Sequence, residues 1–209
     1  MLYFYTDGSC CRNGKENNIG GYGVVALRPT EDTGSGFKME YAWHSQEENT
    51  TNNRMELAAL LDALTIATTF YKEENCIIYS DSAYCVNMFN DWIRKWASNN
   101  WKRTGNKEVE NLDLVQKIYR FAIMEFPSFS VQKVSGHQGV LGNEIADALA
   151  TNNLTKIDKI FKENDLGHPE NDFFDLQEKL WYNYYVKNER RALWIIKCII
   201  KTQSKVYLH

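Results

Sequence analysis

The sequence has no C-x-x-C pair, no low-complexity tract, no internal repeat and no marked excess of either charge. Cys10, Cys11, Cys76, Cys85 and Cys198 are an odd number without metal-ligand spacing, which fits neither a disulfide framework nor a zinc site and points to a reducing compartment. The formal net charge of -3 excludes a protein that coats nucleic acid by bulk charge, so any nucleic-acid contact has to come from a local basic patch. The longest apolar runs are far too short to span a bilayer. Met1 to Tyr5 alternates like a strand and has no charged leader region, so neither a signal nor a transit peptide is expected, and a soluble cytoplasmic monomer with no membrane role is.

What is there is a chain of 209 residues, 44% hydrophobic and 13% aromatic, enough for one proper core with an appendage. Residues 2 to 6, 19 to 27 and 37 to 44 read as three strands with short links, an antiparallel meander. Gly20, Gly21 and Gly23 in the second suggest either a bulge or close backbone approach, or a plain turn. From Asn53 the period changes. Leu57, Leu60, Leu61, Leu64 and Thr68 predict a helix to about Tyr71, followed by a short buried strand at 76 to 80 and therefore a parallel crossover. Short helices are expected at 83 to 90 and 92 to 97, a longer one at 112 to 125, a fifth strand at 129 to 134 and a helix at 143 to 150. Residues 152 to 169 read as polar and loop-like, and 170 to 204 as helical and rich in aromatics.

Four acids stand out by position. Asp7 and Asp81 close strands at their carboxyl ends, where ligand crevices form in sheets of this kind. Glu56 sits at the entry to the long helix and Asp147 on the helix at 143 to 150. Singly, each has an ordinary explanation. Asp7-Gly8 is turn chemistry, Asp81 suits a helix N-cap, Glu56 follows Asn53 at capping-box spacing, and Asp147 could be merely solvated. Jointly, packed carboxylates repel and need cations, and oxygen ligands select hard ones: Mg2+ first, with Mn2+ as a substitute.

Four segments in order, Thr6-Asp7-Gly8-Ser9 with Gly20-Gly21-Tyr22-Gly23, Thr51-Asn52-Asn53-Arg54-Met55-Glu56-Leu57, Ser80-Asp81-Ser82, and Val134 to His137 through Asn143 to Asp147, resemble type 1 ribonuclease H. The resemblance covers residues 1 to about 151 and implies an α/β fold: a five-stranded mixed sheet in order 3-2-1-4-5 flanked by helices. It implies two-metal hydrolysis of the RNA strand of RNA/DNA hybrids, leaving 5'-phosphate and 3'-hydroxyl ends. Asp7, Glu56, Asp81 and Asp147 would be the ligands of two Mg2+ ions, with Asp7 bridging. His137, in a glycine-bearing loop, would move protons or help product leave, and Glu144 matches a further residue near the metals. Two alternatives stay open: a non-catalytic hybrid-binding module, and another metal nuclease or strand-transferase of the same fold.

Asn13, Asn52 and Asn53 match positions that touch the substrate, and short amides suit 2'-hydroxyls and base edges in a wide minor groove. Thr51 would hold a DNA-strand phosphate. Residues 92 to 107 contain five Lys or Arg and three Trp without one acid, resembling the family's basic protrusion, so Trp96, Trp101, Lys102, Arg103 and Thr104 are the expected DNA-strand contacts. The loop between Asp7 and Gly20 is longer than the usual bacterial spacing, which bears on Asn13. The expected division is a catalytic domain at 1 to 151 and a helical C-terminal extension at 152 to 209, which has no family counterpart. The extension's basic end, with six Lys or Arg against one acid over residues 187 to 209, suggests a second contact for the hybrid or for a protein partner.

Overall fold

Five strands form one mixed sheet because three consecutive segments carry runs of buried residues joined by short links and the next two are short and reached through helical crossovers. The computed structural model describes residues 1–125 and 129–166. β1 (Leu2–Cys11), β2 (Ile19–Pro29) and β3 (Phe37–Glu48) pair antiparallel. α1 (Asn52–Phe70) then crosses over to β4 (Cys76–Ser80), which lies parallel to β1. After β4 comes a helical run, α2 (Ala83–Asn87), a π turn at Met88–Trp92 and α3 (Ile93–Ser98). A two-residue ribbon pairs Lys102–Arg103 with Lys107–Glu108, and α4 (Leu112–Tyr119) leads through a second π turn at Arg120–Glu125. β5 (Phe129–Lys133) lies parallel to β4 and is followed by α5 (Leu141–Ala150) and α6 (Leu154–Glu163). The strand order is β3-β2-β1-β4-β5, as the family resemblance implies.

Helices cover both faces of the sheet. α1 buries Leu57, Leu60, Ala63, Leu64 and Ala67 at a helical period. On the opposite face Ile145, Ala148 and Leu149 of α5 pack with Tyr5, Val25, Leu27 and Ala42. α5 lies so near β2 that a Cβ on Gly23 would collide with the carbonyl of Ala146. Close backbone approach, and not a turn, therefore explains that glycine-rich stretch. The bulge lies elsewhere, between Ala26 and Leu27.

Three boundaries differ from expectation for local reasons. β1 continues through Asp7 to Cys11, because Asp7 and Gly8 stay paired with Gly23 and Tyr22. The two short helices expected at 83 to 90 and 92 to 97 are joined by the π turn into one run. Residues 152 to 169 are not loop-like throughout: Asn153 caps α6 by accepting from the Lys156 amide at 3.0 Å, and Ile157 and Phe161 enter the Tyr5 core together with Leu166. That core is continuous across the expected boundary at Thr151. The aromatic segment 170 to 204 lies outside the described residues. Among the described residues no helix is long and apolar enough to cross a membrane.

Candidate active site

The first turn of α1 is set against the middle of β1 by a glycine. A Cβ on Gly8 would collide with the backbone nitrogen of Glu56, so only glycine lets the helix entry lie on the strand beside Asp7. Thr51 caps that helix, its Oγ1 accepting from the Arg54 amide at 3.3 Å. Arg54 makes paired hydrogen bonds to Asp113 of α4 at 3.0 Å each and another to Glu47 of β3 at 2.9 Å, fixing the turn from two sides. With the cap at Thr51, Glu56 is not a capping-box acid. Its side chain is left for another purpose.

Asp81 follows the last residue of β4. The cap of α2 is Ser82, whose Oγ accepts from the Cys85 amide at 3.4 Å, so Asp81 is not spent on capping either. Gly136 lies against it, since a Cβ there would come 2.6 Å from Asp81 Oδ2. Carboxylate oxygens of Asp7, Glu56 and Asp81 lie within 4.8 Å of one another.

Such packing has an electrostatic cost. Asp7 is 8% exposed, and burial, then the charges of Asp81 and Asp147, push its carboxyl from 3.8 up to about 7, against the Gly8 amide and His137. Burial, then Asp7 and Asp81, push Glu56 up to about 9, with Lys133 opposing. Glu56 Oε2 is buried without a hydrogen-bond partner. Three converging carboxylates, with an unsatisfied oxygen on Glu56, are a donor set for a hard divalent cation, and the residues fit one.

Asp147 stands apart from that trio. It lies on α5 close enough to act on Asp7, but its Oδ2 accepts from Lys156 Nζ of α6 at 2.6 Å, and the same nitrogen reaches Glu144 Oε2 at 2.9 Å. The structure thus gathers three of the four expected acids and ties the fourth to a lysine. His137 is exposed at φ 53 on the turn after β5, within electrostatic reach of Asp7.

The substrate-facing expectations divide. Asn13 Oδ1 accepts from the Asn52 amide at 3.2 Å, so the longer loop still delivers Asn13 to the α1 entry beside Thr51. Asn53, Tyr84, Trp92, Trp96, Lys102, Arg103 and Thr104 line one open cleft. Trp101 instead sets its ring edge-on to Tyr119, centroids 5.4 Å apart. The basic stretch holds no acid, yet acids just outside it pair with its cations: Lys95 with Asp91 at 2.7 Å, Lys102 with Glu108 at 3.2 Å and Arg103 with Glu110 at 2.9 Å.

Sequence reasoning missed two cations at the acids, Lys133 and Lys156. Lys133 ends β5 opposite Ser80 and donates to the Asp81 carbonyl, a position legible from the strand-end rule applied to Asp81. Lys156 was hidden by the polar composition of residues 152 to 163. The signal was Asn153 as a cap ahead of Leu154, Ile157, Ile160 and Phe161.

The family model described as RNase H matches residues 1–155. The chain is 39% identical over 161 residues to a protein of Orientia tsutsugamushi (strain Boryong) named Ribonuclease H, covering 77% of this chain and 86% of that one. It is 36% identical over 157 residues to the Ribonuclease H of Clostridium botulinum (strain Hall), covering 71% and 92%. Among solved structures, LC9-RNase H1, a type 1 RNase H with the type 2 active-site motif, superposes with a TM-score of 0.61 at 30% identity, covering 72% of this chain and 70% of that one. The PFV RNase H domain shares the fold, with a TM-score of 0.61 at 24% identity over 72% of this chain and 92% of that one.

Proposed function

Because this chain belongs to the ribonuclease H family, we propose that Asp7, Glu56, Asp81 and Asp147 form the metal centre with which it cuts the RNA strand of RNA/DNA hybrids. The activity is endonucleolytic hydrolysis and the family is metal-dependent. The observation that carries the ligand assignment is the convergent trio of carboxylates around buried Asp7, with Glu56 Oε2 unpartnered and both Asp7 and Glu56 pushed toward their protonated forms. Two divalent cations, Mg2+ or in its place Mn2+, would supply the positive charge that activates the attacking water and stabilises the leaving 3'-oxygen.

The chain's own residues do the rest. Asp7, fixed in a strand between two neighbours and held by the Gly8 approach, stays in place as charge arrives, which limits reorganisation during reaction. Asp7 and Glu56, both raised toward their protonated forms, would hold a cation only as ionised carboxylates and so would give up their protons to it. Hydrolysis takes a proton from the attacking water and returns one to the leaving 3'-oxygen, and His137, exposed on its turn, can carry that proton at a ring nitrogen, so that a 5'-phosphate and a 3'-hydroxyl remain. Asn13, Thr51, Asn52 and Asn53 meet the hybrid at the α1 entry, where Thr51 also offers its hydroxyl to a phosphate. Trp96, Lys102, Arg103 and Thr104 take the DNA strand along the cleft, and Trp101 braces that segment on Tyr119. Incubation with labelled RNA/DNA, RNA/RNA and DNA/DNA duplexes, with and without Mg2+, tests the reading. Only the RNA strand of the hybrid should be cut, only with metal, and not by the Asp7→Asn protein. Metal-independent cleavage, or cleavage surviving Asp7→Asn, would overturn the ligand assignment.

A further inference from the structure

We propose that Lys156 is a built-in counter-cation that holds Asp147 in the metal-free protein and has to leave before Asp147 can serve as a ligand; this rests on the assignment of Asp147 to the metal centre. The ammonium is shared between two carboxylates, 2.6 Å from Asp147 Oδ2 and 2.9 Å from Glu144 Oε2. Among the described residues no other Lys or Arg nitrogen is paired with a carboxylate of the candidate centre. Lys133, whose charge acts on Glu56, donates to the backbone carbonyl of Asp81. The four acids are therefore unequal. Asp7, Glu56 and Asp81 share a site with an unsatisfied oxygen, whereas the Asp147 oxygen is already occupied by positive charge.

The backbone that carries Lys156 is fixed. Its amide is held by the Asn153 cap, and the adjacent Ile157 and, one turn later, Phe161 are buried in the Tyr5 core. The side chain is not fixed in the same way: it is long, flexible and about one third exposed, so the ammonium can turn to water without α6 leaving the sheet. An ammonium and a divalent cation compete for the same lone pairs, and whatever free energy the two charge-assisted hydrogen bonds contribute is subtracted from ion affinity at Asp147. Lys156 is thus a positioning residue. It keeps Asp147 and Glu144 apart from the trio when metal is absent and raises the concentration of metal needed to fill the Asp147 end of the centre.

Mn2+ binding to the full chain without nucleic acid, followed by calorimetry, tests this on wild type, Lys156→Met and Lys156→Arg. Lys156→Met should tighten the weaker phase of Mn2+ binding about tenfold, and Lys156→Arg, which keeps the charge, should stay near wild type. A lysine that merely tethers α6 would lower the melting temperature on loss and leave the weaker phase unchanged or looser, and that result overturns the proposal. A second measurement needs no variant. Acylation of lysines by an amine-reactive ester, read by peptide mass spectrometry, should rise severalfold at Lys156 on adding Mg2+ relative to Lys133 and Lys159; unchanged reactivity would also overturn it. If Mn2+ binding is insensitive to Asp7→Asn, the assignment of the centre itself fails and this proposal falls with it. If binding needs Asp7 but ignores Lys156, only this proposal falls.

Discussion

The carboxylate centre and the basic cleft gather side chains of opposite charge, and each meets counter-charges from its own chain in a different way. In the cleft, Lys95, Lys102 and Arg103 pair with Asp91, Glu108 and Glu110, whose carboxylates lie largely in water, where such pairs contribute at most about 1 kcal/mol each. In the centre, three carboxylates lie close together with one oxygen unsatisfied, and burial shifts Asp7 and Glu56 by whole pKa units. The cleft can exchange a carboxylate for a phosphate at little cost. The centre cannot ionise fully without a cation, so its chemistry is tied to metal while the cleft's grip is tied to salt.

Removing one charge should therefore have its largest consequence in the centre. Asp7→Asn is expected to lower hybrid cleavage by about a thousandfold or more while the fold survives. Its metal-free melting temperature should rise, because a neutral amide avoids the cost of burying a charge and relieves the repulsion that Asp81 and Asp147 impose on Asp7. A variant that cleaves normally would erase the distinction between the two regions, and one that melts earlier would show that neither burial of charge nor repulsion burdens Asp7.

The next effect is on stability against pH. Acids whose folded pKa is raised favour the fold below their unfolded value, and that contribution is lost as pH climbs through the folded value. For Asp7 the window runs from 3.8 to about 7 and for Glu56 from 4.5 to about 9. Without metal, the unfolding free energy should fall by at least about 2 kcal/mol between pH 5 and 9. Mg2+ should restore it, and by more at the higher pH. Urea titrations with and without EDTA check this. A flat profile in EDTA would mean that neither burial nor neighbouring charge shifts these acids.

The cleft and the centre also differed in how far the sequence revealed them. The strands, the α1 period and the places of Glu56 and Asp81 follow from local pattern, from the leucine stripe of α1 and from the end of β4, whereas Asp7, expected at a strand end, lies within β1. What local pattern could not show was which residue caps what. The caps proved to be Thr51 and Ser82, and it is their taking of that task that leaves Glu56 and Asp81 free. Lys156 escaped because its helix is polar on most of its surface and helical only through its cap and the Ile157–Phe161 face, whose partners Tyr5 and Val25 are far away in sequence. The cleft's cations were visible as composition. Their carboxylate partners Glu108 and Glu110 were not, since only the ribbon's turn folds them back over Lys102 and Arg103.

Neutralising Lys102, Arg103 and Lys107 together probes the exposed half and should weaken hybrid binding while leaving saturated turnover much less affected. Each phosphate that is no longer neutralised should flatten the log-log dependence of affinity on salt by about 0.9. Because Glu108 and Glu110 are then left without their cations and face the phosphates bare, affinity at low salt should fall further than the missing positive charges alone require. An unchanged slope would show that these cations do not touch the backbone of the hybrid.

The smallest expected effect belongs to residues 167 to 209. A deletion that tests them has to begin after Leu166, because cutting at Thr151 would also remove Ile157, Phe161 and Leu166 from the Tyr5 core and Lys156 from Asp147, confounding stability with function. Over residues 187 to 209, Lys187, Arg190, Arg191, Lys197, Lys201 and Lys205 stand against Glu189 alone, formally +5 before His209. Residues 1 to 151 carry 14 basic and 19 acidic side chains, or -5, so the cleft works against its own domain's field and a basic extension offsets that deficit. Deleting 167 to 209 should leave kcat and the metal requirement as they are and raise the KM for hybrid by about threefold at low salt, the difference vanishing as salt screens it. A KM gap that persists at high salt would mean the extension acts through contacts that are not electrostatic. No gap at any salt would assign it to a protein partner and leave the cleft as the sole basic contact for the hybrid.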